Sequence, residues 1–558
     1  MSLKFTGLKI IAGILISLIF FSSILSAQSR EQKIDEYLNA CNSVNNFYGT
    51  ALVAINGRII HQGGYGYANL ELGVRNTPEM KFLIGSITKQ FTATAIMQLY
   101  EKGVIDLTAP LTKYLPDYPA ETGDKITIHN LLTHTSGIHN YTAIGSLMRL
   151  KSVPITLDDL LAAFDSLPLD FEPGTRYSYS NSGYVVLGAI IEKVSGMSYA
   201  DYIQQNIIDP LGMANSGYVS RSTILKNRVA GYYQDDKGTF FNADFIDMSM
   251  PFSAGGIHST VGNMLIWDQA LYSEKILKKS SLEKMFTPYL DNYAYGWIVS
   301  EMFGRKIVSH GGGIDGFASS FYRFVDDSVC IVVFSNNISA DADQIARNLA
   351  AIVFDQPYDI PVSKTPVTID PALLPQYAGV FKIADNDYRV ITLEDGKLFS
   401  CRNGGRRIEI RPEADDLFYY DHDNSITLKF IRDDSGKIIR HIIHQGGTDS
   451  PADKIEGPES DKILSQNTTI HLDTEILQKY AGDYSLGPGF ILHVINRADS
   501  LFIQALENPE LEIVPYSETV FKNTDAGVEV TFKLDSNGNP VSVVLGAGGG
   551  EMVGEKIK

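Results

Sequence analysis

The sequence predicts a mixed α/β region followed by two all-β units. From Ser29 to about Pro361, strand patterns and helix patterns alternate along the chain. Beyond a proline-rich linker the chain changes to short alternating strands and turns, and this later part repeats itself once. At 558 residues the chain is longer than one ordinary domain, so several domains are expected.

The α/β region begins with a hairpin signal. The stretch TALVAINGRIIHQGGYGYAN predicts two strands joined at Asn56-Gly57, a dipeptide that favours the tight turn between antiparallel strands. Apolar residues at helical spacing predict helices in TKQFTATAIMQLYEKG and YVVLGAIIEKVSG, which both end at glycine, and in DADQIARNLAAIVF. The run VCIVVFSNN predicts a buried strand.

The part that follows the linker FDQPYDIPVSKTPVTIDP contains an internal repeat. LLPQYAGVFK returns as ILQKYAGDYS, and RIEIRP returns as ELEIVP, both at an offset of 103 residues. From Phe430 and Phe532 onward the offset is 102, and it brings Gly446-Gly447 onto Gly548-Gly549. The ordered matches predict two copies of one small barrel or sandwich.

We therefore expect four segments in the chain. Residues 1–27 have the pattern of a secretory signal peptide, because lysines precede an apolar run from Ile10 to Phe21 and Ala27 offers a small residue before a cleavage point. The run is shorter than the roughly 20 residues that span a membrane, so a retained anchor is the weaker alternative. The α/β domain is then expected at 28–360, and the two β units at 361–465 and 466–558.

Composition and the signal peptide limit the expected partners. The chain has 47 basic and 65 acidic residues, a formal charge of −18 and no dense block of lysine and arginine, so nucleic acid is not an expected partner. Cys41, Cys330 and Cys401 are widely spaced and odd in number, and they indicate neither a disulfide framework nor a zinc site. We expect a periplasmic or secreted bacterial protein with no membrane span after signal removal.

The stretch IGSITKQFTATAIMQLYEKG sets Ser86 and Lys89 three residues apart at the start of a helix. A serine there commonly caps the helix, but Lys89 would then lie where the helix dipole disfavours a cation. Residues three apart share a helix face, so the lysine can reach the hydroxyl and activate it as a nucleophile. Ser281 and Lys284 have the same spacing, so the pair alone does not decide.

Two later segments supply candidate partners for the serine. FEPGTRYSYSNSGYVVLG places Tyr179 and Asn181 in a loop rich in serine, glycine and proline that leads into a helix. IVSHGGGIDGFASSFYRF places three glycines after His310, where they allow close approach of a substrate and leave backbone N–H groups free to donate. Each segment also has a plain alternative, because Tyr-x-Asn recurs elsewhere in the chain and a glycine run alone is typical of a turn.

Three short segments together resemble, in order and spacing, the three motifs of the serine β-lactamase-like hydrolases. They are Ser86-Ile87-Thr88-Lys89, Tyr179-Ser180-Asn181 and His310-Gly311-Gly312. That family includes class C β-lactamases, DD-peptidases, D-aminopeptidases and related esterases. The segments ITIHNLLTHTSGIHNY, NIIDPLGMANSGY, SAGGIHSTVGNMLIWDQAL and YAYGW look like further family landmarks. The resemblance covers residues 33 to about 355 and implies an antiparallel sheet with flanking helices plus an all-helical lobe. The two β units resemble the paired C-terminal barrels of D-aminopeptidases.

The resemblance implies a catalytic role for three side chains. Ser86 would be the acylated nucleophile, and Lys89 would ease its deprotonation from one helical turn away. Tyr179 would carry protons to and from the serine, which requires a depressed pKa beside cations. No metal or organic cofactor is implied.

The resemblance also implies a set of binding groups. Asn181 would hydrogen-bond the acyl side chain of the substrate, and the backbone N–H groups of Ser86 and Gly313 would form the oxyanion hole. His310, Gly311 and Gly312 would line the substrate site. β-Lactamases of this family usually have lysine in place of His310, and a histidine with a pKa near 6.5 would hold a substrate carboxylate only when protonated.

These observations predict an exported serine hydrolase that works through an acyl-enzyme on D-amino-acid-containing peptides or on small esters and amides. The enzymatic alternative is a broad-specificity esterase or a residual β-lactamase. The non-enzymatic alternative is a binding protein for cell-wall fragments that has kept the fold. The expected partner is a small molecule or short peptide, and the sequence does not indicate an oligomeric state.

Overall fold

The computed structural model describes residues 28–235, 238–421, 423–487, 490–505, 510–524, 526–547 and 550–557. The predicted signal peptide and the repeated glycines at 548 and 549 lie outside the described residues. Within the described ranges, no helix combines the length and the hydropathy that crossing a membrane requires.

The first part of the chain, to about residue 355, is called the α/β body below. Its strands are β1 Gly49–Ile55, β2 Arg58–Tyr65, β3 Tyr67–Asn69, β4 Val74–Arg75, β5 Phe82–Leu83, β6 Gly217–Tyr218, β7 Tyr232–Gln234, β8 Phe240–Asn242, β9 Ile257–Ser259, β10 Ile298–Met302, β11 Arg305–Ile314, β12 Phe317–Phe324 and β13 Val329–Ser335. Six of them form one antiparallel sheet in the order β10-β11-β12-β13-β1-β2. Asn56 and Gly57 have φ of 52° and 71°, which confirms the predicted tight turn between β1 and β2.

Helices cover both faces of this sheet. They are α1 Arg30–Asn45, α2 Thr88–Glu101, α3 Ala120–Gly123, α4 Ile128–Leu132, α5 Gly145–Met148, α6 Leu157–Ala162, α7 Asn181–Ser195, α8 Tyr199–Ile203, α9 Asp209–Leu211, α10 Phe252–Gly255, α11 Val261–Ala270, α12 Lys279–Met285 and α13 Ala342–Val353. The three predicted helices correspond to α2, α7 and α13. Gly103 and Gly196, with φ of 71° and 69°, follow the ends of α2 and α7 as predicted.

Two apolar cores flank the sheet. In the outer core, α1 and α13 contribute Tyr37, Leu38 and Leu349. In the inner core, α2 is buried continuously from Thr88 to Met97, so polar side chains such as Lys89 are enclosed along with the apolar ones. Helix α7 packs against α2, and α4 and α6 pack against α7, which forms the predicted helical lobe.

The second part of the chain forms two closed eight-stranded barrels, which confirms the predicted pair of all-β units. The first barrel consists of β14 Gly379–Ala384, β15 Asp387–Glu394, β16 Lys397–Arg402, β17 Ile408–Ala414, β18 Leu417–Tyr420, β19 Asp423–Arg432, β20 Ile438–Gln445 and β21 Thr448–Ile455. Helices α14 Pro458–Asn467 and α15 Thr474–Tyr480 lead to the second barrel. Its strands are β22 Gly482–Gly487, β23 Phe490–Arg497, β24 Ser500–Ala505, β25 Leu511–Pro515, β26 Val520–Asn523, β27 Val528–Leu534, β28 Pro540–Ala547 and β29 Gly550–Lys556.

The sequence repeat appears as equivalent contacts in the two barrel cores. The Tyr377 ring lies 4.9 Å from Phe430 in the first barrel, and the Tyr480 ring lies 4.5 Å from Phe532 in the second. These are the positions at which the repeated Tyr-Ala-Gly segment and the repeated phenylalanine align. The repeat therefore reflects a shared core, not only a shared strand pattern.

The N-terminal part of the linker contacts both the α/β body and the first barrel. The Tyr358 ring meets Tyr37 of α1 edge-on at 6.1 Å. One residue further, Asp359 accepts hydrogen bonds from His444 Nε2 and from the backbone N–H of Gly447, both at 2.9 Å. The predicted boundary at residue 360 falls within this attached segment, and it stays a prediction.

Candidate active site

Ser86 lies in a single turn of 3₁₀-helix, Gly85–Ile87, directly before α2. Gly85 has a φ of 51°, a left-handed conformation that glycine adopts without strain. Ser86 is partly exposed while its neighbours on both sides are buried. The turn therefore presents the serine hydroxyl at the surface, and Ser86 is not the cap of α2, whose N-cap residue is Ile87.

Lys89, in the first turn of α2, points its amine at the Ser86 hydroxyl. The lysine is 0% exposed, and its Nζ lies 3.0 Å from Ser86 Oγ, 2.8 Å from Asn181 Oδ1 and 2.9 Å from the carbonyl oxygen of Ala254. Burial lowers the pKa of Lys89 well below its usual range. A neutral amine that donates to the Asn181 and Ala254 oxygens directs its lone pair at the serine hydroxyl. Lys89 thus has the geometry of a base for Ser86.

Tyr179 and Asn181 are held at the start of α7 by the loop that follows α4. The Ser180 hydroxyl donates to the carbonyl of Ile138 at 3.1 Å, and the backbone N–H of Asn181 donates to Asn140 Oδ1 at the same distance. These bonds fix the short segment that carries the second motif. The structure therefore brings all three predicted catalytic side chains to one place.

The predicted depressed pKa of Tyr179 is wrong. Burial raises the pKa of this phenol above its ordinary value, and a hydrogen bond to Ser86 offsets only part of the rise. Lys89 Nζ lies 4.9 Å from the centre of the Tyr179 ring, but this contact does not outweigh the effect of burial on the pKa of the phenol. Tyr179 is a neutral phenol, which suits a proton donor better than a base.

Strand β11 carries the third motif past the turn that contains Ser86. A Cβ on Gly312 would lie 2.1 Å from the carbonyl oxygen of Ile84, so only glycine allows this close approach. Gly313 is exposed, and a Cβ there would meet open space. Its nitrogen lies 3.0 Å from the point that a Cβ on Gly85 would occupy. The strand therefore passes directly beside the turn of Ser86. The assignment of the backbone N–H groups of Ser86 and Gly313 to an oxyanion hole stays a prediction.

His310 is enclosed between Tyr293 and its own strand. Nδ1 lies 2.6 Å from the carbonyl oxygen of Gly311 and therefore carries the proton, while Nε2 accepts from the Tyr293 hydroxyl at 3.0 Å. The side chain is 4% exposed, and burial, with Lys89 as the second cause, lowers the pKa of His310 to about 4. The predicted pKa near 6.5 is wrong, because burial removes the water that would solvate the imidazolium.

Sequence reasoning assigned no role to Ala254 or Tyr293, although both lie in segments that resemble family landmarks. Ala254 acts through its backbone carbonyl, which no residue pattern signals. Tyr293 acts through a hydroxyl that reaches a residue 17 positions away. The resemblance of these segments to the family was the only sequence signal for Ala254 and Tyr293, and it could not reveal their contacts, which depend on tertiary packing.

A family model described as Beta-lactamase matches residues 41–354, more than half of the chain. Among curated relatives, penicillin-binding protein 4* of Bacillus subtilis (strain 168) is 29% identical over 453 residues, which cover 76% of this chain and 99% of that protein. Teichoic acid D-alanine hydrolase of Staphylococcus aureus (strain MRSA252) is 30% identical over 316 residues, 56% of this chain and 75% of that protein.

A solved structure with similar features is the D-stereospecific amidohydrolase from Streptomyces sp. The two chains are 27% identical and superpose with a TM-score of 0.50, and the match covers 57% of this chain and 97% of the amidohydrolase chain. The similarity is thus spread over nearly all of that protein.

Proposed function

Because the chain belongs to the beta-lactamase family of serine hydrolases, we propose that it cleaves esters and amides of D-amino acids through an acyl-enzyme on Ser86. The observation that carries the proposal is the buried Lys89 amine, whose pKa burial lowers, at 3.0 Å from Ser86 Oγ. Membership of a family of hydrolases sets aside the non-enzymatic alternative of a cell-wall-fragment binding protein.

In the proposed acylation step, Ser86 Oγ attacks the substrate carbonyl carbon while Lys89 takes its proton. The backbone N–H groups of Ser86 and Gly313 stabilise the oxyanion. When the bond to the leaving group breaks, the neutral phenol of Tyr179 donates its proton to the departing oxygen or nitrogen, and the proton held by Lys89 restores the phenol. Water then hydrolyses the acyl-enzyme by the same steps in reverse, and Ser86 regains its hydroxyl.

The protonation state of His310 supports substrates whose leaving group is uncharged. A neutral imidazole with both ring nitrogens bonded to protein groups has no positive charge for a substrate carboxylate. Peptides that end in a free carboxylate are therefore the poorer substrates in this proposal. Two similar proteins, a teichoic acid D-alanine hydrolase and a D-stereospecific amidohydrolase, support D-amino acids as the acyl group. The signal-peptide pattern supports an exported enzyme.

The test compares D-alanine methyl ester, its L-enantiomer and the dipeptide D-alanyl-D-alanine. We expect the D-ester to be cleaved at least about tenfold faster than the other two, measured as kcat/KM. Ser86→Ala should abolish cleavage, and Ser281→Ala is the matched control because Ser281 has its own lysine three residues on. Equal rates on the two enantiomers would move the broad esterase ahead, and full activity in Ser86→Ala would refute the acyl-enzyme.

A further inference from the structure

One residue outside the three motifs holds the backbone on both sides of Tyr179. The N–H of Ser178 donates to the carbonyl oxygen of His134 at 2.9 Å, and the N–H of Ser180 donates to His134 Nδ1 at 3.1 Å. The two bonds bracket Tyr179, so neither flanking peptide can rotate without breaking one of them. His134 therefore determines where the Tyr179 side chain leaves the backbone.

The imidazole of His134 also contacts the Tyr179 ring itself. The two ring centres are 4.2 Å apart at an inclination of 36°, and the Tyr293 ring lies 4.5 Å away on another side. His134 is 1% exposed. The phenol of Tyr179 is thus fixed through its backbone and through its ring by the same residue.

The hydrogen bond from Ser180 requires an uncharged His134. Nδ1 accepts this bond, so the ring proton resides on Nε2, and a second proton on Nδ1 would oppose the N–H of Ser180. Burial is the main cause that lowers the pKa of His134 well below its usual range, and the neighbouring Lys89 and His310 lower it further. Because the lowered pKa favours the neutral ring, Nδ1 remains able to accept the hydrogen bond from the Ser180 N–H.

The backbone of His134 is in the left-handed region, with a φ of 56°. Few residues other than glycine adopt this conformation, and asparagine is one that does so readily. The conformation allows the carbonyl oxygen and the ring of one residue to reach two peptides of the same neighbouring segment. It also defines which substitution can replace the histidine without strain.

We propose that His134 is a positioning residue, which aims the Tyr179 hydroxyl at the leaving group through the hydrogen bond at Nδ1. The inference rests on the proposed function, in which Tyr179 is the proton donor to the leaving group. It predicts that loss of His134 harms reactions that need this proton more than reactions that do not.

Three variants separate the acceptor from the bulk of the side chain. His134→Asn tolerates the left-handed backbone and places Oδ1 where Nδ1 lies. His134→Leu keeps apolar bulk but leaves the Ser180 N–H without its acceptor, and His134→Gln moves the acceptor one carbon outward. His129→Leu is the matched control, because it removes another imidazole that bonds a tyrosine, Tyr295, at 2.8 Å.

The readout is kcat/KM for D-alanine amide and for the p-nitrophenyl ester of D-alanine, which share an acyl group. The amide nitrogen must be protonated to leave, whereas p-nitrophenolate leaves without a proton. We expect His134→Leu and His134→Gln to lose about a hundredfold on the amide and less than about tenfold on the ester. His134→Asn should recover the amide activity to within about fivefold of wild type, and His129→Leu should change both substrates equally.

Thermal unfolding of every variant shows which of them are folded, and His134→Gln replaces His134→Leu in the comparison if the latter does not fold. Equal losses on the two substrates in a folded variant, or no recovery in His134→Asn, would overturn the inference alone. A wild-type enzyme that cleaves neither substrate would overturn the proposed function and this inference with it.

Discussion

At Lys89, none of the groups bonded to the buried amine carries a negative charge that would stabilise its protonated form. The three acceptors around Nζ are a hydroxyl, an amide oxygen and a backbone carbonyl, and none of them compensates an ammonium as a carboxylate would. A charged lysine would be costly in this buried position. The sequence places Lys89 beside Ser86 but does not reveal this electrostatic environment.

This environment predicts the pH dependence of the enzyme. Only the neutral amine of Lys89 accepts the proton of Ser86, so kcat/KM for a neutral ester should rise with pH through the lowered pKa of Lys89 and then level off. Lys89→Arg, whose guanidinium stays charged, should lose at least about a thousandfold. Lys284→Arg is the control at the same spacing from Ser281. A Lys89→Arg enzyme with more than about a tenth of wild-type activity would contradict the role as base.

His310 predicts a flat pH response where the sequence alone predicts a titration. Since the pKa of His310 is lowered to about 4, the ratio of kcat/KM for D-alanyl-D-alanine to that for D-alanine methyl ester should stay constant from about pH 5.5 to 8. His310→Lys should raise this ratio by about tenfold, because an ammonium can pair with the carboxylate. A ratio that falls in wild type as the pH passes about 6.5 would show that His310 is protonated in the working enzyme.

At the scale of elements, the long periodic segments were predictable and the short ones were not. The hairpin at Asn56-Gly57, the helices α2, α7 and α13 and strand β13 appear as predicted, because turn chemistry and apolar spacing act locally. Elements of only two or three residues, such as β5 and α9, depend on neighbours that are distant in the sequence. The same limit explains the site, where spacing predicted Ser86 and Lys89 but burial decided the charge of His310.

Among the equivalent core positions of the two barrels, His441 and Val543 form a pair that is polar in one barrel and apolar in the other. His441 packs 4.7 Å from the Phe381 ring and is 1% exposed, and neither of its ring nitrogens has a hydrogen-bond partner in another described residue. The second barrel has the buried Val543 there, paired with Phe532 as His441 is paired with Phe430. A buried imidazole without partners costs about 1–3 kcal/mol.

We expect His441→Val to stabilise the first barrel and Val543→His to destabilise the second. Burial lowers the pKa of His441 to about 3 in the folded protein, whereas the pKa of an unfolded histidine is near 6.5. The free energy of unfolding is therefore highest above about pH 6.5, where His441 is neutral in both states. It decreases progressively as the pH falls from about 6.5 toward 3, and His441→Val should remove this decrease. Thermal unfolding of both variants and wild type at about pH 7 and 5 measures the effect. A lower Tm in His441→Val at both pH values would contradict this account of the core.

At the scale of the whole molecule, the hydrophobic cores are separate. The two cores of the α/β body consist of residues up to Tyr358, and each barrel has a core of its own residues. The hydrogen bonds of Asp359 to His444 and Gly447 join the linker to the first barrel but bury no apolar core. The body should therefore fold without the barrels.

We accordingly expect that removal of residues 363–558 leaves a soluble body that cleaves small esters with kcat/KM within about threefold of the full chain. Its circular dichroism and cooperative thermal unfolding would report the fold. Asp359→Ala in the full chain is the control for the linker bonds. Insoluble aggregate from the shortened chain, rescued by adding the barrels separately, would show that the body depends on them.

Covalent labelling of the active serine tests directly whether Ser86 is the acylated residue. A fluorophosphonate, which reacts with activated serine hydroxyls, is added to wild type, Ser86→Ala and Ser281→Ala, and the labelled peptide is mapped by mass spectrometry. We expect one label, on the peptide that contains Ser86, which is lost in Ser86→Ala and kept in Ser281→Ala. A label on any other residue, or the same label in Ser86→Ala, would contradict the assignment of Ser86.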